Sequence, residues 1–358
     1  MRQSTASRPS PTLLDVARAA GVSRTTASNA FNRPDQLSAA LRDKVLEVAR
    51  DLGYTGPNPM ARMLRTGRAG AIGVVFPEPV TYAFSDPPAI GLLQGIAAVC
   101  EQEETGILVL SAADVEAVRR TVYQVAVDGF IMECLAADIE VVNAVLERGL
   151  PAVAVDHPGF TEAPSVEIEE RTGARAAAGH LVQLGHRRIG VLALETRHDG
   201  YIGPLDSDRR AGAVYDITIH RLEGYEEGLR AAGLDPAALV VEEHPGYGRG
   251  RGMAAARRLL AQVPRPTAIL AMSDEFALGA IEAAQGLGLR VPEDLSVVGF
   301  DDIPSAALSS PPLTTVHQPL VEKGRIAAEL LFGRREGSSI VLPTRLVVRA
   351  STAPPRTS

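Results

Sequence analysis

At 358 residues the chain has room for two or three domains of about 100–200 residues and for a large core, which excludes a cross-linked mini-protein. Hydrophobic residues are 46% and charged residues 22% of it, globular proportions that exclude wholesale disorder and a coiled-coil rod. The net charge of −7 is unevenly spread: before Gly70 eleven Arg and Lys face five Asp and Glu, a surplus of +6, which leaves −13 for the remainder. A cationic head fits a polyanionic partner, since Lys and Arg gain by displacing counterions from phosphates; a solvated basic terminus is the alternative. The only cysteines, Cys100 and Cys134, are too few for a disulfide framework and read as buried small hydrophobes. No apolar run reaches the roughly 18–20 residues that cross a bilayer, and MRQSTASRPSP lacks the apolar stretch of a signal peptide. The expected location is the cytoplasm, with no membrane partner.

The first 56 residues predict three short helices. Thr12 stands three residues before Asp15 in a capping box, and Val16, Ala17 and Ala20 continue one apolar face until Gly21 ends the helix. Val22 follows as a plug, Ser23 caps a second helix whose inner side is Ala27, Ala30 and Phe31, and Asn32-Arg33-Pro34 stops it. Ser38 opens a third helix in which Leu41, Val45, Val48, Ala49 and Leu52 recur at helical spacing until Gly53. Two short helices about Gly21-Val22-Ser23 make a helix-turn-helix. The outer face of the second helix is Arg24, Thr25, Thr26, Ser28 and Asn29, which suits a major groove: Arg can read guanine, Asn adenine, and hydroxyls take phosphates. An alanine-rich helix pair that merely packs is the plainer reading of the same pattern.

The segments Thr12-Leu13-Leu14-Asp15-Val16-Ala17, Ala20-Gly21-Val22-Ser23, Thr26-Ala27-Ser28, Asn32 and Leu52-Gly53-Tyr54 resemble the DNA-binding headpiece of the LacI/GalR family of bacterial transcriptional repressors. Pro57-Asn58-Pro59-Met60-Ala61-Arg62-Met63-Leu64 resembles that family's hinge helix. Residues 57–68 are too short to hold a helix alone, since nucleation is costly, so either a partner orders them or they form a disordered basic linker. The resemblance supplies the partner: two hinges of a dimer order together in the minor groove, with Leu64 wedged between base pairs and Ala61 allowing close approach. It implies that Arg24, Thr25 and Asn29 read bases and that Ser23, Thr26, Ser28 and Asn32 anchor phosphates. Thr12, Tyr54, Asn58 and Arg62 complete the expected DNA contacts.

From residue 71 onward apolar runs alternate with helical patterns. Strands are predicted at 71–76, 106–110, 129–133, 151–155, 189–194, 239–242, 268–272 and 295–299. Their Val, Ile and Leu without polar alternation indicate parallel strands covered on both faces, an α/β doubly wound arrangement. A polar break at 164–172 separates two groups of four, which predicts two lobes with a ligand cleft at the strands' carboxyl ends. The resemblance agrees, because the family's core is similar to a periplasmic sugar-binding protein. The expected organisation is a headpiece over 1–56, a hinge over 57–69 and a core over 70–358. Within the core, one lobe takes 70–168 and 318–336 and the other 169–317 and 337–352, with chain crossings near Ile168, near Gln318 and at 335–340.

Carboxylates at strand ends and a cation from the second lobe are the natural ligands of a polyol. Asp156, Asp301 and Ser273-Asp274 each end an apolar run, and Arg221 opens a helix after the longest loop; the family places its effector pocket at such positions. Ser273 departs from the asparagine usual there. Tyr82, Phe84 and Asp86 follow the first core strand and either stack on a ligand or pack among themselves. Residues 195–220 are long for a connection and read as a polar lid. The glycine-rich run 246–252 does not fit the dinucleotide spacing and reads as the flexible start of a helix. No P-loop, nucleophile elbow or zinc motif appears, and His186 reads as a turn residue, so neither catalysis, a metal nor a cofactor is expected. The expectation is a regulator that binds a partly palindromic operator in double-stranded DNA as a homodimer, or a tetramer, under control of a small metabolite. A sugar-like inducer is favoured over a purine-type corepressor, and a cytoplasmic two-lobed binding protein is the rival class.

Overall fold

The computed structural model describes residues 11–56, 63–64, 66–135, 140–157 and 160–356. The chain forms two compact units, Met1–Ala69 and Gly70–Ser358. Among the described residues no helix is long and apolar enough to cross a membrane.

The first unit holds helices Leu13–Ala20, Arg24–Asn32 and Ala39–Asp51. The Asp15 carboxylate accepts the Thr12 N–H at 2.9 Å, completing the capping box, and Gly21 takes φ +70, open to a residue without a Cβ. Ser23 and Ser38 accept backbone N–H groups of Thr26 (3.0 Å) and Leu41 (3.4 Å). Val16, Ala17, Ala20, Ala27, Ala30, Val45 and Ala49 form the core, so three short helices approach closely. Leu52, placed by the periodicity on the inner face, is 40% exposed because it follows the last helical turn.

The second unit is built on two sheets. Strands β1 (Ala71–Phe76), β2 (Gly106–Ser111), β3 (Phe130–Glu133), β4 (Ala152–Val155) and β5 (Ser165–Ile168) belong to the first. Strands β6 (Ile189–Ala193), β7 (Gly203–Pro204), β8 (Val240–Glu243), β9 (Ala268–Ala271), β10 (Ser296–Asp301) and β11 (Thr314–His317) belong to the second. The chain then returns to the first sheet as β12 (Ser339–Leu342) and to the second as β13 (Arg345–Val347). The orders are β12-β5-β4-β3-β1-β2 and β13-β11-β10-β9-β6-β8-β7, parallel except where β7 meets β8 and β13 meets β11. Helices Pro87–Gln102 and Leu320–Leu331 cover one face of the first sheet, Val115–Gln124 and Glu140–Glu147 the other. In the second sheet, Glu170–Gln183 and Asp216–Arg230 take one face, Arg249–Leu260 and Asp274–Gly286 the other.

The eight apolar runs are strands, as expected, and the described residues include five more. The supposed polar break at 164–172 is β5 followed by a helix start: Val166 and Ile168 are buried, and Glu167 faces outward from a strand next to the edge. The third crossing lies later than 335–340. Because β12 pairs in parallel with β5, and β13 pairs antiparallel with β11, the chain changes lobe after Leu342, and residues 339–342 belong to the first lobe. Residues 195–220 are not a loose lid either. They contain β7, a short helix Ser207–Ala211 and the first turn of Asp216–Arg230. Glu243, its side chain wholly buried, accepts from Arg209 at 2.7 and 2.9 Å and from Thr196 N and Oγ1 at 2.8 and 2.9 Å; Arg209 also stacks on Tyr201. The segment is a strap pinned to the end of β8. His186 ties the Gly185 turn to neighbouring chain, pairing with Thr267 Oγ1 at 2.9 Å and the Ala353 carbonyl at 2.9 Å.

Helices Pro87–Gln102 and Leu320–Leu331 touch through glycines: a Cβ on Gly95 would overlap the Val321 carbonyl, and one on Gly324 the Leu92 carbonyl. These obstructions are backbone, which cannot rotate aside. Gly324→Ala is therefore expected to destabilise the core by about 1–3 kcal/mol in urea unfolding. An unchanged midpoint would mean that the two helices can separate at no cost.

Candidate functional site

On the first unit, the second helix presents the predicted face. Ser23, Arg24, Thr25 and Asn32 are exposed and Thr26, Ser28 and Asn29 are half-buried. Several of these polar groups are already engaged. Ser23 and Thr26 hydroxyls share a 2.8 Å bond inside the cap, Asn29 Nδ2 donates to Gln36 Oε1 at 3.2 Å, and Asn32 Nδ2 donates to the Ser28 carbonyl at 3.0 Å. Asn32 thus secures the end of its own helix. Thr12 is exposed but committed to Asp15, while Tyr54 is half-buried edge-on to Phe31, where burial raises its phenol pKa. Leu64 is 82% exposed, a large apolar side chain left in solvent. Asn58, Ala61 and Arg62 lie outside the described residues.

On the second unit, the strands' carboxyl ends from both sheets meet around a cleft of about 960 Å³, its mouth included. Six of the eight predicted ligand residues line it: Tyr82, Asp86, Asp156, Arg221, Ser273 and Asp301. Two do not. Phe84 is 67% exposed, and its half-buried neighbour Tyr82 takes the inward position, edge-on to Tyr247 with ring centroids 4.1 Å apart. Asp274 is fully buried under the cleft, where it accepts the Ile303 N–H at 2.8 Å and the Thr315 hydroxyl; it staples strand ends together. Arg221 lies in the second turn of Asp216–Arg230 rather than opening it, and Ser273 caps Asp274–Gly286 by accepting the Phe276 N–H at 3.2 Å. Cys134, expected as core, is only partly buried and forms part of the cleft wall.

The cleft floor is a chain of polar groups that runs between the lobes. Lys323 Nζ bonds Asp156 and donates to Gln318 Oε1 at 2.8 Å. Gln318 Nε2 donates to Asp301 Oδ1 at 2.7 Å. Arg221 approaches Asp301 to 3.9 Å, donates to both Glu170 oxygens at 2.7 and 3.1 Å, and lies on the Phe300 ring. Gln318 and Lys323 carry no sequence signal, because a buried lysine inside a helix looks like any solvated one. Glu78, Glu133 and Glu195 did carry one: each stands at or just beyond the end of an apolar run, the rule that found Asp156 and Asp301. Cys134, Asp156 and Asp301 hold φ of +48, +52 and +121, so three strand ends at the cleft are in backbone conformations that residues other than glycine rarely adopt.

Charge in the cleft is dominated by burial. Desolvation pushes Glu78 up to about 8, helped by repulsion from Asp86 and Glu195, and raises Glu133 well above the ordinary carboxylate range. Burial also lifts Asp86 to about 6, and Asp301 to about 7 in spite of Arg221 and Gln318. A carboxyl whose folded pKa exceeds its unfolded one keeps a proton that the unfolded chain has lost, so stability falls as pH rises through that interval. For Glu78 the interval runs from 4.5 to about 8. The melting temperature of the core is expected to fall between these limits, and Glu78→Gln to make the fall shallower; identical slopes in thermal melts would contradict a protonated Glu78.

Comparison with known proteins places this geometry. Residues 12–58 match the model of bacterial regulatory proteins of the lacI family, and residues 178–352 match a periplasmic binding protein-like domain. The HTH-type transcriptional regulator Rv3575c of Mycobacterium tuberculosis is 40% identical over 96% of this chain and 97% of its own. A lac repressor dimer bound to operator and the anti-inducer ONPF aligns at TM-score 0.75 and 29% identity, over 96% of this chain and 100% of that one. The regulator CelR in complex with cellobiose aligns at TM-score 0.67 and 32% identity, over 95% and 99%. Helix-turn-helix head, two-lobed core and relatives along nearly the whole length agree: the chain belongs to the LacI family and is a DNA-binding transcriptional regulator, not an enzyme.

Proposed function

We propose that the protein is a repressor that grips a partly palindromic operator as a homodimer and is released or tightened by a small polyhydroxylated molecule held in the cleft. The observation that carries the ligand half is the cleft floor, where Asp156, Gln318, Asp301 and Arg221 present fixed, desolvated acceptors and donors to anything between the lobes. Sugar hydroxyls make paired bonds to such groups. A sugar bound by the similar CelR supports the class, and a sugar acting as inducer is the reading we favour. Six residues, Tyr82, Asp86, Asp156, Arg221, Ser273 and Asp301, are proposed as contacts, with Gln318 and Lys323 added.

The DNA half rests on the exposed first turn of the second helix. Arg24, Thr25 and Asn29 are proposed to read base edges in the major groove, with Ser23, Thr26 and Ser28 on phosphates. Asn29 must leave Gln36 to do so, an exposed bond that costs little to exchange. Leu64 is proposed as the minor-groove wedge, which would give its exposed side chain an apolar surface. Work on DNA implies the cytoplasm. Because linkage is reciprocal, DNA must change ligand affinity by the factor with which ligand changes DNA affinity.

Duplexes selected by the protein from a randomised pool test the assignment. Asn29→Ala is expected to cost about 1–3 kcal/mol and to relax preference at one base position per half-site. Uniform weakening at every position would remove Asn29 from base reading. Leu64→Ala is expected to reduce bending in circular-permutation gel shifts and to weaken binding, leaving ligand affinity in the core unchanged. Undiminished bending would count against the wedge.

A further inference from the structure

Among the described residues, six carboxyl side chains line the cleft, Glu78, Asp86, Glu133, Asp156, Glu195 and Asp301, against two cations, Arg221 and Lys323. Both cations are already held: Lys323 pairs with Asp156, and Arg221 is forked onto Glu170, which is not part of the lining. Among the described residues Glu78 Oε2, Glu133 Oε2 and Asp156 Oδ1 are buried without a hydrogen-bond partner, and the Asp156 side chain is only 9% exposed. A buried acceptor without a donor forfeits the hydrogen bonds it had in water, the more so if it is charged, so three in one cleft are unfavourable unless something outside the chain meets them.

The acids also converge. The charges of Asp86 and Glu195 raise the pKa of Glu78, and those of Glu78 and Asp156 raise that of Glu133, which brings carboxyls of the first lobe against one of the second. Aromatic rings stand beside them: Tyr82 and Tyr247 edge to face, and Tyr215, whose phenol pKa is raised by burial and then by Glu195, Glu78 and Glu133. Carboxylates with tyrosine rings are the surroundings that recognise an ammonium group, through charge and through the ring quadrupole. A neutral polyol can donate hydroxyls to these oxygens but leaves the like charges together.

We propose that the effector is a polyhydroxylated amine, its protonated nitrogen held by Glu78 and Glu133 of the first lobe and Glu195 of the second, its hydroxyls on Asp156, Asp301 and Arg221. The assignment rests on the cleft being the effector site. The ammonium lies between Glu78 and Glu133 and attracts Glu195 from across the cleft.

Matched pairs test this on the full-length protein by calorimetry in phosphate buffer: D-glucosamine against D-glucose, and protonated Tris against pentaerythritol, which carries a fourth hydroxymethyl group where Tris has its ammonium. In at least one pair the cationic member is expected to bind about ten-fold more tightly, a preference that Glu133→Gln and, independently, Glu78→Gln reduce to less than about three-fold. Equal or tighter binding of the neutral members, a preference undiminished in both variants, or no binding of any of the four at millimolar concentration overturns the amine. The reading of the cleft as the effector site fails separately, if a compound that binds there leaves affinity for the selected duplex unchanged.

Discussion

The core depends on one continuous line of polar side chains from Asp156 through Lys323, Gln318, Asp301 and Arg221 to Glu170. Arg221, Glu170 and Lys323 are almost wholly buried, and removing one member of such a set leaves its neighbour as an uncompensated buried charge. The line begins at the end of β4 in one sheet, passes through the crossover at Gln318, and reaches the end of β10 and helix Asp216–Arg230 in the other. It therefore fixes where the lobes meet while leaving the mouth of the cleft free of covalent constraint. A hydrophobic floor of the same volume would be as stable, but it would not hold acceptors and donors at fixed separations for a ligand.

Around that floor the remaining features are supports. Asp274 ties the start of its helix to Ile303 and Thr315, which holds the end of β10 in the strained backbone that aims Asp301 into the cleft. The Glu243–Arg209–Thr196 cluster closes the strap after β6 onto the sheet, and so delivers Glu195 and Tyr215 to the cleft wall at its two ends. A long insertion that looks entropically costly is tolerable because a buried carboxylate with four donors compensates for its ordering.

The sequence spoke clearly wherever one local rule decided the outcome. Thr12 with Asp15, the glycine at 21 and the serine caps at 23 and 38 name the headpiece helices without help from tertiary contacts, and the Val- and Ile-rich runs name the central strands. It was silent or misleading at edges and at long range. β5, β12 and β13 are only three or four residues long and lie at or near the rims of their sheets, so their pattern does not differ from a loop's until the partner strand is known. Phe84 and Tyr82 are indistinguishable by composition, and only packing against Phe76 and Tyr247 decides which ring turns inward. Lys323 was invisible for a similar reason: its burial is a property of Asp156 and Gln318, which approach it through the fold. Asp274 was misassigned because a strand-end carboxylate that binds a ligand and one that staples the scaffold obey the same sequence rule.

What a ligand can do to the DNA-binding end is bounded by how differently it binds the conformations of the core. A molecule that touches only the floor, where Lys323, Gln318 and Asp301 already bond one another, meets nearly the same partners whatever the angle between lobes, and equal affinity for two states shifts neither. Differential affinity must come from groups that approach across the cleft from separate lobes. Glu78 and Glu133 on one side and Glu195 with Tyr215 on the other are such groups, and the carboxyls among them repel one another when ionised, which a proton or a cation relieves. On the proposed reading of the cleft, the floor sets which molecules fit, and the acidic walls set how much of the binding free energy is available to change the affinity for DNA.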